Sequence, residues 1–278
     1  MKPNHKSNLI VLIALVIGTG LKAVLVFNQL VPFNSDEAVV GLMAKHILSG
    51  EVPIFFYGQS YMGSLDAYLI SITFRIFGET VYAIRLVQIF LFDAYLISLW
   101  WLIRLFFTDQ TVANIAIFLA AVPSVLVTTY TTATLGGYGE SLFFGNLILG
   151  IGYQVIRGSW KRRWIAWLGL GLIGGLAFWT LGIAGVYLLP VATLGLIYFN
   201  RKIIPYYFWS FIGFLIGCFP WLYGLVLQKG APLEVYLQSR IVKTSFIERI
   251  LWSIVLGIPG ILGLRYPWSS HFGSYPLL

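Results

Sequence analysis

The sequence predicts an all-α, polytopic membrane protein with about eight transmembrane helices, and two features of its composition indicate this fold class. Of the 278 residues, 59% are hydrophobic and only 10% are charged, whereas soluble domains carry about 25% charged residues. Apolar runs of roughly 20 residues, the length that a helix needs to cross a bilayer, recur along the chain. We therefore expect a single membrane domain over residues 1–278.

Eight apolar segments have a length suited to spanning. The first follows two lysines and continues past Lys22 to Leu30, without the short apolar core and the small-residue cleavage site of a signal peptide. We expect an uncleaved first helix. The predicted spans are residues 8–30, 81–106, 111–130, 141–157, 164–181, 182–199, 204–227 and 249–264.

Lysines and arginines between the spans predict the orientation. Clusters of these residues mark cytoplasmic loops, and the clearest cluster lies at residues 157–163. Because the cations are clustered between apolar runs, the net charge of +8 indicates membrane topology and not nucleic-acid binding. The N-terminus is then inside, and the outer segments are residues 31–80, 131–140 and 228–248.

The first outer segment, residues 31–80, is too polar to span and too apolar for an ordinary loop. Its stretch DEAVVGLMAKHIL has apolar residues at helical spacing, which predicts a helix lying along the membrane surface. The stretch LDAYLISITFRIF predicts a second interfacial helix, because Asp66 and Arg75 bracket an apolar core that is too short to cross.

Several classes of chemistry lack their residues. The sequence has no Asp-x-Asp pair and no Walker A loop, so neither a soluble nucleotide-sugar enzyme nor an ATPase is indicated. Cys218 stands alone, and His5, His46 and His271 are scattered, which leaves no recognisable set of metal ligands. We expect a metal-independent reaction and no cofactor.

Acidic residues at the outer boundary are the candidates for catalysis. Asp36 and Glu37 directly follow the first span, and Glu140 lies beside three glycines just before the fourth. A partly desolvated carboxylate has a raised pKa, which suits a general base. Helix capping explains the same acids, because NSDE precedes an apolar periodic run. The local residues leave both interpretations open.

Cations and aromatic residues complete the candidate site. Arg85, Arg240 and Lys243 lie in or beside outer segments and could bind a phosphate headgroup, although interfacial anchoring explains each of them singly. Tyr57 and Tyr61 could stack on a sugar, or they could anchor the first outer segment at the membrane surface.

The order of three stretches resembles a known family. FNSDEAVVGLMAKHILSG follows the first span, a P...YGQ segment comes next, and FGETVYAIRL opens the second span. Over residues 8–160 this order is similar to the GT-C glycosyltransferases, specifically to glycosyltransferase family 39. The resemblance is to the relatives of protein O-mannosyltransferases and of the aminoarabinose transferase that modifies lipid A.

The resemblance implies an integral membrane glycosyltransferase that acts on the outer face of a bacterial or archaeal plasma membrane. It would move a sugar from a polyprenyl-phosphate donor to a hydroxyl of a lipid, glycan or protein. The catalytic aspartate of the family's first outer loop falls on Asp36, with Glu37 as the neighbouring acid and Glu140 as the second-loop acid that shapes the site. Family members are usually longer, so we expect either a fragment or a compact member.

Two other functions stay open. Lys22, Asp93 and Asn146 lie within predicted spans, as functional polar groups do in transporters and lipid flippases. Substrate flux that survives Asp36→Asn would favour transport. The third reading is a non-catalytic remnant of the glycosyltransferase fold, and loss of activity in the same variant, with folding unchanged, would exclude it.

Overall fold

The computed structural model describes residues 5–158, 163–198, 201–237 and 245–264. Helices make up most of these ranges, as the fold class predicts. Short 3₁₀ segments lie at Gly182–Tyr187 and Arg201–Ile203, and a π-helical segment lies at Ser253–Gly257. The α-helices are α1 His5–Phe27, α2 Ser35–Leu48, α3 Leu65–Phe77, α4 Val81–Phe106, α5 Gln110–Ala121, α6 Val125–Tyr130, α7 Tyr138–Ile156, α8 Arg163–Thr180, α9 Leu188–Ile197, α10 Ile204–Gly217, α11 Phe219–Leu227, α12 Ala231–Leu237, α13 Phe246–Trp252 and α14 Ile258–Ile261.

The predicted spans coincide with helices, but many of the helices are short. Among the described residues, two are long and apolar enough to cross a bilayer, namely Leu9–Phe27 within α1 and the whole of α4. A third crossing is present if α10 and α11, which are bent by 56°, act as one span. The protein is therefore a helical membrane protein, and eight crossings remain a prediction.

Proline accounts for two of the breaks. Pro123 lies between α5 and α6, inside the predicted span 111–130, and Pro220 lies in the first turn of α11, inside the predicted span 204–227. Proline has no amide hydrogen and clashes with the preceding turn, so it ends or bends a helix. Hydropathy alone does not register this effect, because both segments are apolar throughout.

Helices α8 and α10 pack closely through glycines, as the sequence spacing of Gly171 and Gly175 predicts. A Cβ atom on Gly175 would lie only 2.2 Å from the carbonyl oxygen of Phe214. Gly169, Gly171 and Gly174 also match the spacing G-x-G-x-x-G. They lie within one helix, not between a strand and a helix, so they are not a dinucleotide-binding loop.

The first outer segment folds into two helices with a hairpin between them. Helices α2 and α3 occupy the two stretches predicted as interfacial helices. The antiparallel hairpin between them was not predicted; it is formed by β1 Phe55–Phe56 and β2 Gln59–Gly63. A bridge from Met62 to Leu181 and a 2.9 Å hydrogen bond from Trp179 Nε1 to the Ile54 carbonyl attach this region to the end of α8.

Apolar side chains hold the outer segment against the second span. Met43 from α2, Ile70 and Phe74 from α3, and Ile84 and Val87 from α4 belong to one buried cluster. Burying each such side chain contributes about 1.5–3 kcal/mol. The start of α2, where Asp36 lies, is therefore fixed relative to α4.

Candidate active site

Asp36 lies in the first turn of α2 and is half-buried. Its carboxylate accepts no hydrogen bond from the residues that the structure describes. The helix cap is a different residue, since Asn34 Oδ1 accepts a 3.0 Å hydrogen bond from the Glu37 amide. The sequence left helix capping open as the role of the acid pair. In the structure Glu37 caps α2 together with Asn34, and Asp36 takes no part in the cap.

Glu37 and Arg85 form a buried ion pair. Arg85 Nε and Nη2 donate to the two carboxylate oxygens of Glu37 at 3.1 and 3.0 Å, and Nη2 also donates to the Pro32 carbonyl at 3.2 Å. Glu37 is 0% exposed and Arg85 is 3% exposed. The partner of Arg85 is thus a protein carboxylate, where the sequence predicted a substrate phosphate. The same contact uses both carboxylate oxygens of Glu37.

Tyr138 lies near Asp36 and near two other tyrosines, Tyr130 and Tyr61. Tyr138, the first residue of α7, makes an edge-to-face contact with Tyr130 at 4.7 Å between ring centroids. Burial, and then the neighbouring Tyr130, Tyr61 and Asp36, raise the pKa of Tyr138. Asp36 is therefore near enough to Tyr138 for their charges to interact, and Tyr138 joins Tyr61 as an aromatic residue that could contact a sugar.

An apolar groove begins at the same tyrosines. Its volume is about 650 Å³, which is within the usual range for ligand sites. The lining is mainly aliphatic and aromatic, with Thr131 and Ser141 as polar members. The groove runs between α6, α7 and the 182–187 segment, and its lining includes Tyr130, Tyr138, Leu142, Val186 and Ile261.

Two buried acids, Asp66 and Glu140, lie at the start of α7. Asp66 accepts hydrogen bonds from Gln88 Nε2 at 3.0 Å, from the Gly137 amide at 3.4 Å and from the Thr134 hydroxyl. Glu140 is next to Asp66, is 1% exposed, and has no hydrogen-bond donor to either oxygen among the described residues. The structure therefore places Glu140 against a second acid and away from the surface where a substrate would bind.

Lys22 contacts the start of the second outer segment, residues 131–140, which ends at Glu140. Its ammonium donates to the Thr131 carbonyl, the Thr131 hydroxyl and the Thr132 hydroxyl at 2.8, 2.8 and 2.9 Å, and it lies 4.2 Å from the ring centre of Phe92. Asp93 and Asn146, the other polar residues within predicted spans, contact Thr19 and Ser98 respectively. These partners give the three residues structural contacts inside the helix bundle.

The other predicted site residues are placed differently. The Tyr57 hydroxyl contacts His46 Nδ1 at 2.8 Å and Glu51 at 3.3 Å, so it belongs to a polar cluster on the first outer segment. Tyr61 donates to Gln59 Oε1 at 2.8 Å. Arg240 and Lys243 lie outside the described residues.

Sequence reasoning missed Asp66 as a member of the site region. An acid in the first turn of an interfacial helix is common, since it complements the helix dipole, and its partners Gln88, Thr134 and Glu140 lie far along the chain. Within the described ranges, no three His, Cys, Asp or Glu side chains lie together as metal ligands would. The metal-independent reaction stays a prediction.

A helical membrane chain with an acid at the start of the helix that follows its first span is the class of protein that the GT-C resemblance predicts. The family model described as dolichyl-phosphate-mannose-protein mannosyltransferase matches residues 64–223, which is more than half of the chain. The chain therefore belongs to this family and is a membrane glycosyltransferase of the mannosyltransferase kind. The match includes Asp66, Arg85 and Glu140 and begins after Asp36. Neither the curated proteins nor the solved structures gave a match.

Proposed function

We propose that the protein transfers a sugar from a polyprenyl-phosphate carrier to a hydroxyl acceptor on the outer face of the membrane, with Asp36 as the general base. The observation that carries the proposal is the half-buried carboxylate of Asp36, which has no hydrogen-bond partner among the described residues and lies near Tyr138, a residue that lines the apolar groove. A general base needs an accessible carboxylate at the place where the acceptor meets the donor.

The reaction follows from these positions. Asp36 takes the proton of the acceptor hydroxyl as its oxygen forms a bond to the anomeric carbon. The bond from that carbon to the carrier phosphate breaks, and the phosphate leaves with the electron pair. Attack opposite the leaving phosphate inverts the anomeric configuration. Arg240 and Lys243 remain our candidates for stabilising the phosphate charge, because Arg85 is already paired with Glu37.

The groove supports a lipid-linked donor. Its apolar walls would hold an isoprenoid chain through van der Waals packing, because the tail of such a donor passes from membrane lipid and not from water into the groove. Tyr138, which lines the groove, is also near Asp36. A chain bound there would present its phosphate and sugar to the carboxylate. In this proposal the outer segments lie at the membrane surface, and the broken helix pairs serve as the remaining crossings.

The roles of three predicted residues change in this proposal. Glu37 and Arg85 act as a positioning pair, because they join α2 to α4 next to Asp36. Tyr61 and Tyr138 supply aromatic faces for the sugar, since carbohydrate rings pack on such surfaces through their C–H groups. Tyr57 supports the fold of the first outer segment through His46 and Glu51.

The test compares the wild type with Asp36→Asn in membranes that contain native acceptors. Mass spectrometry of lipid extracts would measure the consumption of polyprenyl-phosphate sugars. Glu79→Gln is the matched control, because Glu79 is an exposed acid of the same outer segment whose contact is a surface ion pair with Lys45. Consumption by wild type and control, and not by Asp36→Asn, is expected. Equal consumption by all three folded proteins would remove Asp36 from the mechanism.

A further inference from the structure

Glu140 is a buried carboxyl group whose ionised form has no stabilising partner. It is 1% exposed, and neither of its oxygens accepts a hydrogen bond within the described part of the chain. Burying an ionised carboxylate in this way is costly, and such groups normally take up a proton. The neighbouring group is a second acid, Asp66, so ionisation of both would add repulsion between like charges.

Asp66 has the surroundings of an ionised carboxylate. Three donors, the Gln88 amide, the Thr134 hydroxyl and the Gly137 backbone amide, point at its oxygens. A carboxylate offers about four acceptor sites, so Asp66 can accept one more hydrogen bond, and the acid group of Glu140 is its neighbour. The two acids therefore have different environments: donors surround Asp66, whereas Glu140 has only Asp66 to which it can donate.

We propose that Glu140 carries a proton, donates it in a hydrogen bond to Asp66, and with Asp66 forms a positioning pair that holds residues 131–138 so that Tyr138 faces Asp36. The inference rests on the proposed function and assigns Glu140 a role other than the predicted contact with substrate. Burial, and then the negative charge of Asp66, raise the pKa of Glu140 well above its usual range. Around this residue, α3 contributes Asp66 as the charged neighbour, and α4 contributes the neutral Gln88 amide.

The loop is short and tightly packed, so the pair can fix Tyr138. The Gly137 amide donates to Asp66, and the next residue is Tyr138. Gly137 has φ +81°, and a Cβ atom there would lie 2.8 Å from Thr180 Cγ2. The chain at Gly137 is therefore in close contact with the end of α8. Loss of the hydrogen bonds to Asp66 would release the segment that presents Tyr138.

The experiment compares Glu140→Gln with Glu140→Ala. Glutamine keeps a donor for Asp66 and has no carboxylate, so Glu140→Gln should retain transfer activity to within a few-fold, while Glu140→Ala should lose most of it. Glu79→Ala is the control for removing an outer acid. If Glu140→Gln is folded and as inactive as Glu140→Ala, Glu140 acts as a carboxylate and the proposal is overturned.

Two readouts are independent of sugar transfer. The melting temperature of the wild type in detergent should fall as pH rises above the ordinary range for glutamate, because the fold favours protonated Glu140, and this fall should be smaller in Glu140→Gln. In wild type labelled with ¹³C-carboxyl glutamate, infrared spectroscopy should show a protonated carboxyl band at neutral pH that shifts with the label. Absence of that band would overturn the proposal even where Glu140→Gln does not fold. A chain that shows the band and transfers no sugar would refute the proposed function alone.

Discussion

Arg85 Nη2 lies 3.0 Å from Glu37 Oε2, and both side chains are almost completely buried. The pair joins the first turn of α2 to the first turns of α4 across 48 positions of the sequence. Asp36 is the neighbour of Glu37, so the direction of the carboxylate that we propose as base depends on this contact. The pair thereby links the stability of the outer segment to the geometry of the site.

Breaking this pair from one side should be strongly destabilising. Arg85→Met leaves Glu37 as an unpaired buried charge, and Glu37→Gln leaves Arg85 in the same state, so each should lower the free energy of unfolding by about 3–5 kcal/mol. The double variant removes both charges and should recover part of the loss. A double-mutant cycle measured by chemical unfolding in detergent checks this. If the loss in the double variant equals the sum of the losses in the two single variants, the residues are not coupled.

Asn34 and Asp36 should separate stability from activity. Asn34→Ala removes the side chain that caps α2 and should cost about 1 kcal/mol. Asp36→Asn removes no hydrogen bond of the described structure and should change stability by less than about 0.5 kcal/mol while abolishing sugar transfer. Thermal unfolding and the lipid assay on the same preparations measure both quantities. A large stability loss in Asp36→Asn would assign Asp36 a structural role.

Several helices of this protein could be predicted from sequence because they depend on a local pattern. The start of α4, for example, lies at Val81 as predicted, next to its capping residue Thr80. The hairpin at residues 55–63 was missed because its pairing is stabilised by contacts with α8, which no local pattern records. Its two strands lie directly on either side of the turn Tyr57–Gly58, and they are too short to show the alternating pattern of a strand.

The candidate site was predictable only in part, for the same physical reason. Asp36 could be named as a candidate because the acid pair interrupts an apolar sequence at the outer end of the first span, and its catalytic role stays a prediction. The partners of Glu37, Asp66 and Glu140 could not be found, because they come from elements that are far apart along the chain. A buried charge is recognised by its partner, and the partner is a property of the tertiary structure.

Lys22 should be required for the shape of the second outer loop. Lys22→Met removes three hydrogen bonds from a buried ammonium to Thr131 and Thr132, so the free energy of unfolding should fall by about 1–3 kcal/mol. Lys45→Met is the control, because Lys45 contributes an exposed ion pair with Glu79, and such pairs contribute about 0–1 kcal/mol. Chemical unfolding measures both.

The same variant tests the transport alternative. If Lys22 served a substrate path through the membrane, Lys22→Met would alter substrate flux while leaving stability unchanged. A stability loss with no flux in either protein would agree with the structural role seen in the contacts to Thr131 and Thr132. Flux through the wild-type protein that is lost in a stable Lys22→Met variant would contradict that role.

Filling the groove should weaken the use of long-chain donors. Val186 lines the groove and is 58% exposed, so Val186→Trp can place an indole in the space that we assign to the isoprenoid chain. The displaced tail would lose van der Waals packing against the groove walls, so KM for a long-chain donor should rise several-fold. A short-chain analogue, which would not reach past Tyr138, should be used almost as well as by the wild type.

Val226→Trp provides the matched control for the groove. Val226 is 76% exposed on α11 and is not among the residues lining the groove, so the same substitution there should leave both donors unaffected. Steady-state kinetics with the two donors distinguish a tail site from a general effect of added bulk, since only a tail site makes the loss depend on chain length. Equal losses with long and short donors in Val186→Trp would mean that the groove does not hold the carrier, and the apolar surface between α6 and α7 would then face membrane lipid.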